Sequence, residues 1–242
     1  MKKKAAVFTI VHNEKDFLPI WYRHYLKSFH PHDIYILDHN SSDGSTDAYE
    51  VVKLNMPEVF NHSWLLTTVQ DFYKELCRDY EWVVFSEVDE LIIHKEYENL
   101  QDYLNVISNG SMCSGLEVIH NFDEEKEIDL NLSLLNQRRF ARPNVNYNKI
   151  LIANQPLEWS VGFHRCYNFD CSRDENLILL HLRYLDYNLC YNRINYRLDV
   201  NFCPADAKNK LGWQNNTQTL EEFRRNWPKI ECEIPSWLNS RI

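Results

Sequence analysis

The feature that most constrains this chain is a recurrence near its start: short, continuous β-prone runs, each followed directly by a polar cluster. The runs are residues 5–11 (Ala-Ala-Val-Phe-Thr-Ile-Val), 34–37 (Ile-Tyr-Ile-Leu) and 82–86 (Trp-Val-Val-Phe-Ser). Runs without polar alternation are what strands covered on both faces require. Between the first two, Phe17, Leu18, Trp21, Tyr25 and Phe29 recur at helical spacing until Pro31. Residues 68–78 read as another helix, and a short one is expected over 48–54 behind a series of cap residues. Strand, helix, strand, helix, strand specifies an α/β sheet with parallel crossovers. In such sheets ligands bind beyond the carboxyl ends of the strands. The clusters at 12–16, 38–47 and 87–90 each follow a strand, so all three are expected on one edge.

Downstream the pattern turns strand-rich. Strands are expected at 116–119, 149–153, 159–163 and 177–182, with helices at 99–107, 186–200 and 219–227, the last capped by Thr219. There are no internal repeats or linker-like stretches, so one continuous domain over 1–242 is the economical reading.

Composition removes several function classes. Hydrophobic residues at 44% and charged residues at 25% provide for a buried core rather than a disordered chain. Only 5 glycines occur, none spaced as G-x-G-x-x-G or G-x-x-x-x-G-K, which excludes a dinucleotide fingerprint and a P-loop. A net charge of -9 argues against nucleic acid as a partner. The 7 cysteines form no C-x-x-C pair and read as reduced thiols, so a cytoplasmic protein is expected. Lys2-Lys3-Lys4 imitates a signal n-region, but the apolar run behind it ends at Val11, too short for one. No run approaches the ~18–20 apolar residues of a membrane span. Peripheral membrane association stays open, although three lysines alone are too little to specify it.

The strongest chemical signal is Glu87-Val88-Asp89-Glu90, three carboxylates delivered by a buried strand. Carboxylates this close repel one another unless a cation relieves them, and their oxygens suit Mg²⁺ or Mn²⁺. If the strand continues, Glu87 and Asp89 point to one side and share the ion, while Glu90 points to the other. The bland alternative is a solvated acidic loop. Asp38, ending its strand before Asn40 and Ser41, could accept from a base imide or a ribose hydroxyl. His164 and His181 each follow apolar residues, and either could complete a metal site. A satisfied core histidine is the competing reading for both.

Taken in order, three segments resemble the GT-A glycosyltransferases of the family 2 type, in the branch with a D-x-D-E element and a late histidine. They are Val7-Phe8-Thr9-Ile10-Val11-His12-Asn13-Glu14, Leu37-Asp38-His39-Asn40-Ser41-Ser42-Asp43-Gly44-Ser45, and Trp82 through Glu87-Val88-Asp89-Glu90. Lys149-Ile150-Leu151, Gly162-Phe163-His164 and Leu180-His181-Leu182-Arg183-Tyr184 look like that branch's later landmarks, and the resemblance covers residues 4–200. The chain departs from the pattern at Glu87, where the family usually has Asp. Glu is also a hard oxygen ligand, on a longer arm.

The resemblance implies a GT-A fold with a mainly parallel sheet flanked by helices. It divides residues 1–200 into a nucleotide-binding half (1–107) and an acceptor and metal half (108–200); the tail matches nothing in that family and is expected to form a C-terminal helical appendage (201–242). The resemblance implies an enzyme that uses Mn²⁺ or Mg²⁺ to move a sugar from a nucleoside-diphosphate sugar, a UDP-sugar first among them, to a glycan or lipid-linked acceptor, as in surface polysaccharide or glycan biosynthesis. Asp38 would contact the base, with Val11, His12, Asn13, Glu14 and Asn40 lining the base and ribose pocket. Asp89 would be the chief metal ligand, with Glu87 near the ribose or a metal water. His181 would be the remaining metal ligand, and His164 either its alternative or a residue facing the acceptor. Lys149 or Arg183 would offset diphosphate charge. Transfer with inversion calls for a carboxylate base, for which Asp123 and Glu158 are the candidates. A sugar nucleotidyltransferase and a non-catalytic carbohydrate-binding relative are the competing readings.

Overall fold

A computed structural model describes residues 2–55, 57, 59–198, 203–209, 211 and 219–242. The first run forms β1 (Lys3–Val11), buried from Ala5 onward. It is flanked in parallel register by β2 (Ile34–Asp38) and β4 (Tyr80–Phe85). Both faces of this core are covered, which is why its strands carry apolar residues without alternation. Helix α1 (Leu18–Leu26) begins with Leu18 N–H donating to the Glu14 carbonyl, and Pro19 occupies its first turn. Its Trp21 and Tyr25 are fully buried, as the periodicity requires. Helix α2 (His62–Asp79) starts earlier than the sequence indicates, because the Asn61 carboxamide caps the Trp64 N–H at 2.9 Å.

The helix expected over 48–54 is absent. Its β-branched Val52 instead enters a short edge strand, β3 (Val52–Lys53), parallel to β2. The strand expected over 159–163 is also absent. There the chain makes a 3-10 turn, with Gly162 at φ 78° and Phe163 at φ 60°, values no strand can hold. Helix α3 (Leu100–Leu104) is shorter than expected.

The remaining strands are β5 (Glu90–His94), β6 (Gly110–Ile119), β7 (Phe140–Pro143), β8 (Ile150–Ala153), β9 (Arg173–Tyr184) and β10 (Cys232–Glu233). The main path of the sheet runs β10-β7-β6-β8-β4-β1-β2-β3, and β9 joins β5 to β6. The chain thus forms the expected α/β architecture, with a sheet that is parallel at its core and flanked by helices. β8 is antiparallel to both β4 and β6, and β9 is parallel to β6. β6 and β9 therefore point the same way as β1, β2 and β4. The carboxyl ends of all five strands lie on one edge, together with the start of β8.

Helix α4 (Tyr187–Leu198) leaves the end of β9 on that same edge. Short helices α5 (Pro204–Lys208) and α6 (Leu220–Arg225) follow, the latter with a capping box between Thr219 and Glu222. Cys190 and Ile194 of α4 pack with Phe223 of α6 in a small cluster separate from the main core. Among the described residues no helix is long and apolar enough to cross a membrane.

Candidate functional site

The three polar clusters do converge, and side chains lock them together. Asn13, at φ 54°, accepts the Ser42 and Asp43 N–H groups on Oδ1 at 2.7 and 3.2 Å, while its own N–H donates to Ser41 Oγ. His12 Nδ1 donates to the His39 carbonyl at 2.9 Å, and the two imidazoles stack 5.0 Å apart. Burial and the neighbouring His12 lower the His39 pKa to about 3, so this ring is neutral. Val11 is buried in β1, its carbonyl accepting from His39 N–H. Asn40 is exposed at φ 72°, on the turn that carries this pair.

Asp38 is fully buried and serves this turn. Its carboxylate accepts from Ser41 N–H at 2.8 Å, from Thr46 Oγ1 at 3.0 Å and from Lys53 Nζ. Burial works to raise its pKa, but Lys53 and the hydrogen bonds win and hold it at about 2. Protein donors thus take three of the roughly four acceptor positions of this carboxylate.

The acidic tetrapeptide is a turn rather than a continued strand. Glu90 N–H donates to the Glu87 carbonyl at 2.9 Å, which sends Asp89 away from its neighbours. Glu87 and Glu90 converge instead on Lys149, whose buried ammonium lies 2.8 Å from Glu87 and 2.5 Å from Glu90. The expected pairing of Glu87 with Asp89 is thereby replaced by a Glu87–Lys149–Glu90 triad. Its lysine is held by protein carboxylates rather than left to meet a phosphate. Burial raises the Glu90 carboxyl despite Lys149, and Glu90 Oε2 is buried without a partner among the described residues.

Asp89 faces His181. The Asp89 Oδ2 to His181 Nε2 distance is 3.8 Å, and His181 Nδ1 lies 3.1 Å from Glu117 Oε1. Glu117 is buried in β6 and also accepts from Arg142 Nε at 2.6 Å and Asn144 Nδ2 at 3.0 Å. The Tyr147 ring stacks on His181 at 4.0 Å. A carboxylate that fixes one imidazole nitrogen and turns the other toward a second carboxylate is how proteins prepare a histidine to bind metal. Among the described residues no three His, Cys, Asp or Glu side chains are grouped to hold an ion.

Helix α4 closes over this edge. Arg193 donates to Glu14 Oε1 at 2.8 Å and also to Asp89 Oδ2, and Arg197 donates to the same Glu14 oxygen at 3.0 Å. Burial would raise the Asp89 pKa, but the charges of Arg193, His181 and Arg197 hold it well below the carboxylate range. Tyr196 Oη meets Asn13 Nδ2 and lies 3.4 Å from His12 Nε2.

Of the other expected residues, His164 and Arg183 lie at the margin of this cluster, and Asp123 and Glu158 lie on the surface. His164 is not beside Asp89: its Nδ1 donates to the Asn146 carbonyl at 2.7 Å and its ring packs on Tyr147. Arg183 lies over the Tyr184 ring. Asp123 is exposed and paired with Arg224 at 3.2 Å, so its carboxylate serves the surface. Glu158 is exposed, and its described bonds run through its backbone, to Asn168 and Tyr167. Glu117, Tyr147, Arg193, Tyr196 and Arg197 escaped the sequence reading. A lone carboxylate in the apolar run Leu116-Glu117-Val118-Ile119, and two arginines four apart on the helix after His181, were the available signals.

No protein-family model matches the sequence, and no curated protein matches it. Among solved structures, the chain is similar to S. aureus TarS in complex with UDP-GlcNAc, at 14% identity and a TM-score of 0.33. That match covers 56% of this chain and 42% of the other, well under two thirds of its length. It is also similar to the mannosyltransferase PcManGT from Pyrobaculum calidifontis in complex with GDP-Man and Mn²⁺. There the identity is 10% and the TM-score 0.42, over 89% of this chain and 70% of that one. Likenesses at these scores assign no activity to this chain.

Proposed function

We propose that this chain is a GT-A-type glycosyltransferase that uses a divalent cation, Mn²⁺ or Mg²⁺, to transfer a sugar from a nucleoside-diphosphate donor to a glycan or lipid-linked acceptor, with inversion. The observation that carries this reading is the Glu117–His181–Asp89 relay, set beside the interlocked His12–His39 turns at the carboxyl edge of a parallel sheet.

Asp89, an oxygen donor, and His181, a nitrogen donor fixed by Glu117, would hold the ion, and its remaining positions would be open to the donor and to water. When bound, the ion supplies Lewis-acid stabilisation of the charge that develops on the leaving diphosphate. Glu117 holds the His181 ring with Nε2 forward. Arg193, withdrawn from Asp89, would turn toward the phosphates together with Arg197. The stacked His12–His39 pair and Tyr196 offer the base an aromatic wall.

Arg193 neutralising Asp89 favours a second reading, a carbohydrate-binding protein that needs neither nucleotide nor metal. Thermal melting with UDP, GDP, CDP and TDP, each with Mn²⁺ or with EDTA, separates the two. A stabilisation by one nucleotide that requires Mn²⁺ and disappears in Asp89→Asn supports the transferase, through linkage. No shift with any of the four would sink it.

A further inference from the structure

Away from the carboxylate cluster but adjoining it, the structure contains a cleft of about 450 Å³ whose lining includes none of Glu87, Asp89, Glu117 and His181. Its walls include Asn148, His164, Tyr167, Asn168, Phe169 and Asp170. Asn148 precedes Lys149, and His164 packs on Tyr147, the ring that stacks on His181. One wall of the cleft is thus one residue removed from the proposed reaction centre.

The chemistry of the cleft is specific. Tyr167 presents an aromatic face at 70% exposure, and Phe169 adds a second ring. Among the described residues neither Lys nor Arg lines the cleft, and Asp170 is part of its wall, so an anionic ligand is disfavoured. Aromatic faces with convergent amide, imidazole and carboxylate groups suit an uncharged polyhydroxyl ligand.

Three features show that these groups are held in place. Asn168 accepts Glu158 N–H at 2.9 Å and donates to the Pro156 carbonyl at 3.0 Å, and the isolated bridge between Trp159 and Cys166 closes the same loop under Tyr167. Gly110 makes room for Phe169: a Cβ there would lie 2.7 Å from the Phe169 Cε1. The left-handed pair Gly162–Phe163 presents His164, and a Cβ on Gly162 would sit 2.9 Å from its Cδ2. Backbone strain of this kind persists where a side chain must be aimed. Because His164 Nδ1 donates to a carbonyl, Nε2 carries the lone pair in the neutral ring. Burial, with Lys149 nearby, lowers its pKa, while Glu87 opposes and His181 adds to the effect.

We infer that this cleft is the acceptor subsite: it binds an uncharged saccharide on the Tyr167 and Phe169 rings, with His164 Nε2 accepting a hydrogen bond from a hydroxyl of that sugar. The inference rests on the transferase reading for its role as acceptor site, but not for the binding itself.

The test uses the whole chain and four probes: maltose, cellobiose, mannobiose and N,N′-diacetylchitobiose, each followed by saturation-transfer NMR. At least one is expected to bind, with Tyr167→Ala weakening it tenfold or more while the nucleotide and Mn²⁺ melting shift is unchanged. Tyr167 is exposed, so this variant keeps the fold. The His164 Nε2 resonance in imidazole ¹⁵N spectra should move when the bound disaccharide is added. Binding by none of the four, or binding indifferent to both Tyr167→Ala and Asp170→Ala, overturns the inference. An absent nucleotide shift together with Tyr167-dependent disaccharide binding would instead refute the transferase and keep the saccharide site.

Discussion

Glu117→Gln isolates the group that orients His181. Burial would raise the Glu117 pKa; hydrogen bonds from His181 and Asn144 and the charges of His181 and Arg142 hold it at about 2, against 4.5 for the free side chain. That difference corresponds to about 3 kcal/mol of stability at neutral pH. The sign follows from the depressed value. The unfolded chain takes up the proton near pH 4.5 and the folded chain only near 2, so the contribution is complete above pH 4.5 and lost as pH falls through 2. Glu117→Gln keeps the shape and removes the charge beside Arg142. For a chain of this size the loss amounts to roughly 6–12 °C in melting temperature at pH 7. Melting from pH 3 to 8 should show wild type and variant converging toward the acid end. A variant that melts with wild type at pH 7 and keeps the same acid limb would refute the assignment of this charge network.

Three further perturbations test the frame around the site. Arg193→Met leaves Asp89 without its guanidinium partner and should cost about 3 kcal/mol in denaturant unfolding; a change within about 0.5 kcal/mol would place Arg193 with ordinary surface residues. Ser86→Ala removes the hydroxyl that accepts from Trp21 Nε1 at 2.8 Å and bonds Tyr25 Oη at 2.9 Å, and should cost about 1–3 kcal/mol by the same assay. Gly162→Ala forces a Cβ into left-handed backbone against the His164 ring, and should destabilise by about 1–2 kcal/mol while shifting the His164 imidazole resonances. Unchanged resonances there would show that the turn does not aim His164.

The parallel core was legible because its signals are local. Residues 5–11 and 82–86 must be buried on both faces, and a strand followed by a polar cluster fixes which edge that cluster occupies. The pairing inside the clusters was not legible, because it depends on where a backbone turns. Extending the strand through Glu87 placed Glu87 with Asp89, whereas the Glu87–Glu90 turn hands Glu87 to Lys149, distant in sequence. Residues 159–163 misled in the same way: their apolar content satisfies a strand pattern, and only the φ values of Gly162 and Phe163 make them a turn. His181 was singled out by its position after an apolar run. Glu117, which orients it, sits on a strand whose partnership with β9 no spacing reveals.

The most direct measurement of the central claim is a Mn²⁺ titration followed by EPR, with and without the nucleoside diphosphate that stabilises the protein. With two protein ligands and the remainder supplied by phosphate, the free-ion signal should fall only when nucleotide is present, and Asp89→Asn or His181→Ala should restore it. Mn²⁺ binding that needs no nucleotide, or that survives both substitutions, would contradict a metal site built on Asp89 and His181.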